Sequence, residues 1–256
     1  MKIVVCVKYV PDMASQPRFT PGHRVDRAGG QLSELDEYAV EQALRVVESV
    51  PGAHVTHLTA GPPAAAEALR KALAMGGDAA VHVSDEAIAG SDGPATALVL
   101  AAALRRLDPD LVVCAMASTD GGTSLVPAML AEHLDMPQLT FAGEVSVAGG
   151  AVRIRRDAAG EIRHLEGTLP AVVSVTDRIG DPRYPSFKGI MAAKKKSLET
   201  WTLADLGVPA DQVGAAARTV VEDITARPAR TAGTIVPDEG EGGRSLAGFL
   251  STRKFI

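Results

Sequence analysis

Leu111-Val-Val-Cys-Ala-Met-Ala-Ser-Thr-Asp-Gly-Gly-Thr-Ser-Leu-Val126 passes from an unbroken apolar run into a polar, glycine-containing turn. A run of this kind, Leu111 to Ala115, reads as a strand buried on both faces. Ser124 to Leu134 reads as the helix that follows it. Toward the N-terminus the same unit recurs. An alanine-rich helix spans Asp92 to Leu107, with Ala97, Leu98, Ala101 and Leu104 on one stripe. Before it lie a strand at Ala80 to Val83, a helix at Ala64 to Met75 stopped by Gly76-Gly77, and a strand at Val55 to Ala60. Earlier still, Ser33 or Asp36 can cap a helix with Ala39, Val40, Ala43, Leu44 and Val47 at helical spacing. A polar loop from Pro11 to about Leu32 separates that helix from a first strand at Ile3 to Val7. Alternation of strand and helix calls for right-handed crossovers and an α/β fold around a parallel sheet.

Toward the C-terminus the pattern changes. Phe141 to Val147 and Ala151 to Arg156 alternate around Gly149-Gly150, which predicts a hairpin, and Ile162 to Gly167 adds a third antiparallel strand. Arg153, Arg155, Arg156, Arg163 and His164 fall on its solvated faces. Ala171 to Val175 returns to the core. The segment Asp181 to Lys196 then combines Pro182, Pro185 and Gly189 with Lys194, Lys195 and Lys196. The prolines break pairing, the glycine loosens the backbone, and the lysines stay in water. Tyr184, Phe187, Ile190 and Met191 offer apolar area there, and Lys188 adds charge. The segment reads as a docking surface with a basic flank; taken alone, a solvated basic turn explains it equally well. Beyond it, residues 197–206 carry a strand and a short helix, and 208–244 lack periodicity and cannot form a core. Ser245 to Phe255 has weak helical spacing. The expected organisation is a domain over 1–196 and, over 197–256, an arm that needs another subunit to lie upon.

The 256 residues suffice for a sizeable core. Hydrophobic residues make up 46% and aromatics only 4%, so Val, Ile, Leu and Ala must fill it, which favours a parallel sheet over a β-sandwich. A net charge of −5 argues against nucleic acid as a partner, although the basic residues gather at 183–196. Cys6 and Cys114 sit in apolar runs and read as buried thiols in a reducing compartment. Lys8 and Asp12 bracket too short a strand for a secretory signal, and no apolar run approaches the ~20 residues of a membrane span, so a soluble, cytoplasmic protein is expected. The histidines show no metal spacing and no Ser or Cys partner, and no residue stands out as acid, base or nucleophile.

Ligands of such sheets bind at the carboxyl ends of the strands. Four loops meet there: Lys8 to Asp12, Leu32 to Asp36, Ala60 to Pro63, and Ala115 to Leu125. Asp120-Gly-Gly-Thr-Ser124, running into a helix, offers backbone amides and a hydroxyl to an anion. A plain tight turn accounts for the same residues. Neither a P-loop nor a GxGxxG fingerprint is present, which disfavours ATP hydrolysis and a standard NAD site.

Lys2 to Asp12, Asp36-Glu-Tyr-Ala-Val-Glu41, Ala72-Leu-Ala-Met-Gly-Gly-Asp78, Ser118-Thr-Asp-Gly121 and the segment 184–196, in this order, resemble the small (beta) subunit of electron-transfer flavoproteins along nearly the whole chain. The resemblance implies a nucleotide-binding sandwich like that of the adenine nucleotide alpha-hydrolases, with an added antiparallel hairpin and a C-terminal arm wrapping the large subunit. It implies AMP held structurally by Cys6, Ser33, Glu34, Leu35, Asp36, Ala60, Ala115, Met116, Ala117, Ser118, Thr119, Asp120, Gly121, Gly122, Thr123, Ser124, Leu125 and Val126. Relatives often have Asn-Pro at Ser33-Glu34, and Gln and often Thr at Leu125 and Val126, so phosphate binding falls to Thr123, Ser124 and backbone amides. The same resemblance implies FAD held mainly by the large (alpha) subunit, with Met13 expected near its ring; as a sequence feature alone, Met13 is also an ordinary loop methionine. The resemblance further implies a recognition loop, 182–196, that would dock acyl-CoA-type dehydrogenases through Phe187, where leucine is common, with electrons passing on to a membrane quinone oxidoreductase. Two alternatives stand beside this: a bifurcating subunit with FAD in place of AMP and NADH as donor, and a stand-alone adenine-nucleotide module of the universal-stress type.

Overall fold

The structure, a computed structural model, describes all residues except Met13 and Ser15, so the flavin-facing position expected at Met13 lies outside the described residues. Its chain forms two compact units, Met1–Glu222 and Asp223–Ile256. In the first unit, β1 (Lys2–Cys6) leads to four two-residue strands, β2 (Tyr9–Val10), β3 (Phe19–Thr20), β4 (Arg24–Val25) and β5 (Gln31–Leu32). Then come α1 (Glu34–Ser49), β6 (His54–Ala60), α2 (Ala66–Met75), β7 (Ala79–Val83), α3 (Gly93–Leu107), β8 (Leu111–Ala115) and α4 (Val126–Leu134). The chain continues through β9 (Gln138–Ala148), β10 (Ala151–Ala158), β11 (Glu161–Thr168), β12 (Ala171–Val175), α5 (Phe187–Ala193), β13 (Leu198–Trp201) and α6 (Leu203–Leu206).

One nine-stranded sheet runs in the order β11-β10-β9-β12-β8-β1-β6-β7-β13. All neighbours from β9 to β13 in this order are parallel, while β9, β10 and β11 pair antiparallel. The chain steps outward from β1 to β6 and β7, and α3 then returns it to β8 on the other side of β1. That reversal puts α1 and α2 on one face and α3 and α4 on the other. Period-two alternation supplies both cores. Val5, Val113 and Val173 pack with Ala39, Val40, Leu69 and Leu73, whereas Val4, Val112 and Val172 pack with Ala97, Ala101, Leu104 and Leu130. The α/β expectation and the antiparallel extension both hold. On that extension the arginines are cross-linked rather than free: Arg153 meets Glu166 at 2.5 Å and Arg155 meets Glu144 at 2.9 Å.

Three local readings need correction. The helix expected from Ser124 begins at Val126, because Ser124 sits in the left-handed region at φ 57° and Pro127 occupies the first turn. Neither Ser33 nor Asp36 caps α1 through its side chain: Ser33 holds the N-cap position without a cap bond, and Asp36 lies inside the first turn. Asp181–Lys196 is not all loop, since α5 occupies its second half. Ser186 Oγ accepts the Gly189 N–H at 3.0 Å and opens that helix. Gly189 is there for close approach: a Cβ would run into the Ala74 carbonyl at the end of α2. Gly189→Ala is therefore expected to cost only about 1 kcal/mol, because α5 can lift away, and to speed tryptic cleavage at Lys188. Unchanged cleavage would mean that the contact does not hold α5.

The compact first unit runs past Lys196. β13 extends the sheet beside β7, pairing Leu198 with Ala80 and Trp201 with Val83. Trp201, Leu203, Val208 and Val213 are buried in the second core, and the Arg106 guanidinium lies 4.3 Å from the Trp201 ring centre. In the second unit, α7 (Gly242–Thr252) leaves Leu246 and Phe249 exposed. Among the described residues, no helix is long and apolar enough to cross a membrane.

Candidate functional site

The reversal between β1 and β8 opens a crevice at their carboxyl ends. Lys8, just beyond β1, ties the next loop to it. Its carbonyl accepts the Ser33 N–H at 3.0 Å, and its own N–H donates to Asp36 Oδ2 at 2.6 Å. Pairing of β2 with β5 holds the same register. Across the crevice, Ser33 Oγ lies 3.4 Å from Thr119 Oγ1, so the α1 loop and the β8 loop meet through two hydroxyls.

Asp120 is the charged centre of this end of the sheet. Its carboxylate is 4% exposed and pairs with Lys8 Nζ at 2.8 Å and Arg27 Nη2 at 2.5 Å. Burial alone would raise its pKa, but the Lys8 ammonium and then the Arg27 guanidinium outweigh burial and hold it below the usual carboxylate range. Arg27 also donates to the Tyr9 carbonyl at 3.3 Å, fixing the segment between β4 and β5. Within the β8 loop, Asp120 Oδ1 accepts the Gly121 N–H at 2.7 Å, and the Ser118 carbonyl accepts the Gly122 N–H at 3.0 Å. These two amides are turned inward, so an anion would meet the amides from Thr123 onward.

Around this centre, Cys6 and Ala60 are half-buried at the ends of β1 and β6, and Ala115 is buried at the end of β8. Met116, Ala117, Ser118 and Thr119 are half-buried; Gly121, Gly122 and Thr123 are exposed. Glu34 and Leu125 are exposed, while Leu35, Ser124 and Val126 are half-buried. The register beside Val5 and Val113 makes Cys6 and Cys114 neighbours, and the Cys6 thiol beside it together with burial pushes the Cys114 thiol up. Asp36 is buried as well. Burial is the largest influence and pushes its pKa up to about 8, against the pull of the Lys8 N–H and ammonium.

A second surface is formed by 181–196. Tyr184 is 93% and Phe187 81% exposed, and Ile190, Met191, Lys188, Lys194 and Lys195 are exposed with them. Lys196 departs from the expectation of a solvated lysine run. It is half-buried, and its Nζ donates to the Leu73 carbonyl at 3.2 Å, near the negative end of α2. Arg183 is also held inward, by Glu41 at 2.6 Å and Glu48 at 2.9 Å. The free basic flank is thus Lys188, Lys194 and Lys195. His57 and His82, in strands β6 and β7, are buried and bond the Gly76 and Gly61 carbonyls.

Arg27, Arg183 and Glu41 carry these arrangements without having been singled out as site residues from sequence. Arg27 shares its polar loop with Arg18 and Arg24, and no spacing distinguishes it.

A family model described as "Electron transfer flavoprotein domain" matches residues 23–206. A protein of Mycobacterium tuberculosis (strain CDC 1551 / Oshkosh) named "Electron transfer flavoprotein subunit beta" is 47% identical to this chain, with 99% of each covered. Its namesake in Mycobacterium leprae (strain TN) is 46% identical over the same share, and one in Clostridium acetobutylicum is 36% identical, covering 84% of this chain and 83% of its own length. With its doubly wound sheet and its similarity running the full length of these proteins, the chain belongs to the electron transfer flavoprotein family, on the side of the beta subunits.

Proposed function

We propose that this chain is the small subunit of a heterodimeric electron transfer flavoprotein that binds AMP structurally in the β1/β8 crevice and docks acyl-CoA-type dehydrogenases through 182–196. The observation that carries this reading is Phe187, a large apolar side chain four-fifths exposed on a segment fixed at both ends. An alpha subunit is the partner, with the separate unit from Asp223 to Ile256, rather than the whole of 197–256, reaching onto it.

The crevice residues fit an adenine nucleotide. Ala60, Ala115 and Ala117 place small side chains there, Thr123 and Ser124 offer hydroxyls and amides to a phosphate, and Lys8 and Arg27 favour negative charge nearby. FAD, held mainly by the alpha subunit, supplies the electron chemistry of the complex, toward a membrane quinone oxidoreductase. This chain contributes position: the crevice stabilises the folded subunit by binding linkage, and the docking segment selects the donor.

Co-expression with the alpha subunit, followed by denaturation and nucleotide analysis, tests the reading. FAD and AMP in equal amounts are expected, in a complex that an acyl-CoA-type dehydrogenase reduces. Two FAD per heterodimer and no AMP would move the chain to a bifurcating subunit with NADH as donor. A flavin-free monomer would overturn both in favour of a stand-alone nucleotide module.

A further inference from the structure

We propose that Glu41, acting through Arg183 and Arg45, is a positioning residue that sets the docking segment before any partner arrives; the inference rests on the docking function proposed above. Glu41 lies on α1 with its side chain 5% exposed, and both of its oxygens are used. Oε2 accepts from Arg183 Nε at 2.6 Å and from the Arg183 N–H at 3.1 Å. Oε1 accepts from Arg45 Nε at 2.9 Å and Arg183 Nη2 at 3.1 Å. Arg45 then reaches forward, donating to the Ile179 carbonyl at 3.0 Å and the Asp181 carbonyl at 3.2 Å. Arg183 adds Glu48 at 2.9 Å. Residues 179–183 are thus bound to α1 although they pair with no strand.

The far end is fixed by a different arginine. Arg70 Nη1 donates to the Ala193 carbonyl at 2.7 Å and the Lys196 carbonyl at 3.0 Å. Between these two anchors stand Tyr184 and Phe187, facing solvent.

The division of labour argues for positioning rather than for general stability. Ile179 and Ala193, at the two anchored ends, are buried in the first core, whereas no residue from 180 to 192 between them is, so the presented part of the segment gives the core little. A nearly buried carboxylate and planar guanidinium forks nevertheless hold its base in one geometry. Anchors of that kind remove the ordering cost that an exposed, weakly packed aromatic would otherwise meet on binding.

The test uses the FAD-containing heterodimer as the varied substrate of an acyl-CoA-type dehydrogenase. Glu41→Gln is expected to raise KM about fivefold, with kcat and flavin content unchanged, and Arg183→Lys, which keeps charge but loses the fork, to give a smaller rise. Phe187→Ala is measured alongside. An unchanged KM in Glu41→Gln together with a raised KM in Phe187→Ala would overturn the positioning role while leaving docking intact. If neither moves KM, the docking reading itself fails, and this inference with it. Should Glu41→Gln not assemble, Arg183→Lys decides on the same terms.

Discussion

Phe187→Ala is expected to raise the KM of the assembled flavoprotein toward an acyl-CoA-type dehydrogenase about thirtyfold, the effect of losing an interface anchor worth about 2 kcal/mol. Its ring is 81% exposed, so truncation removes little from the core, and the thermal midpoint should stay within a degree or so. The flavin content should also be unchanged, because the segment 182–196 and the β1/β8 crevice are built from different loops. Lys188, Lys194 and Lys195 remain exposed in the variant. Their contribution is long-range attraction, which acts on association and weakens as salt shortens the Debye length. The variant should therefore keep the salt dependence of the parent while its KM is raised at every ionic strength. Steady-state kinetics at low and high salt check both points. A KM equal to the parent's would remove Phe187 from the interface.

The sheet was legible because its central strands are continuous apolar runs, and a strand buried on both faces leaves that trace directly in sequence. Leu111–Ala115 and Ala171–Val175 fall where they were expected, residue for residue. Start signals were less dependable. Ser124 looks like a helix cap, yet its left-handed backbone ends the β8 loop and Pro127 begins the helix. At Gly189 the local reading was reversed. A glycine between prolines and lysines suggests looseness, but this one permits contact with α2, a residue more than a hundred positions away in sequence. The same reason hides the ion pairs. Arg27 and Asp120 are 93 residues apart, and Arg183 and Glu41 are 142 apart. No periodicity links such positions, so only the folded chain pairs them. The crevice residues themselves came from strand ends and from family resemblance, which locate loops without specifying which side chain braces which.

The stability of the complex is expected to fall by about 2 kcal/mol between pH 6.5 and 8, and Asp36→Asn is expected to remove most of that fall. Asp36 has its folded pKa raised from 3.8 to about 8, chiefly by burial. A raised folded pKa means that the native state keeps a proton which the unfolded chain has released. The associated stability is complete below the unfolded pKa and is lost as pH rises toward about 8. His57 works in the opposite direction. Its pKa is lowered from 6.5 to about 4, again mainly by burial, so its contribution is complete above pH 6.5 and is lost as pH falls toward 4. From pH 4 to 6.5 the two slopes oppose one another and largely cancel. The contribution of His82, lowered by burial as His57 is, is also complete above 6.5, and Cys114, whose thiol is pushed up, adds a loss in the same direction only toward the top of the window. Among the described groups of this chain Asp36 therefore carries most of the slope above 6.5, and the one and a half pH units that remain give the ~2 kcal/mol at 1.36 kcal/mol per unit. Glu41, Asp92 and Asp120 have lowered pKa values, so their stability is lost only at acid pH and they stay outside this window. Asparagine at position 36 can still accept the Lys8 N–H while carrying no charge. Urea unfolding of the heterodimer at closely spaced pH values between 6.5 and 8 measures the slope directly. The parent should lose stability across the range and the variant should be nearly flat; equal slopes would show that Asp36 is already ionised in the folded protein.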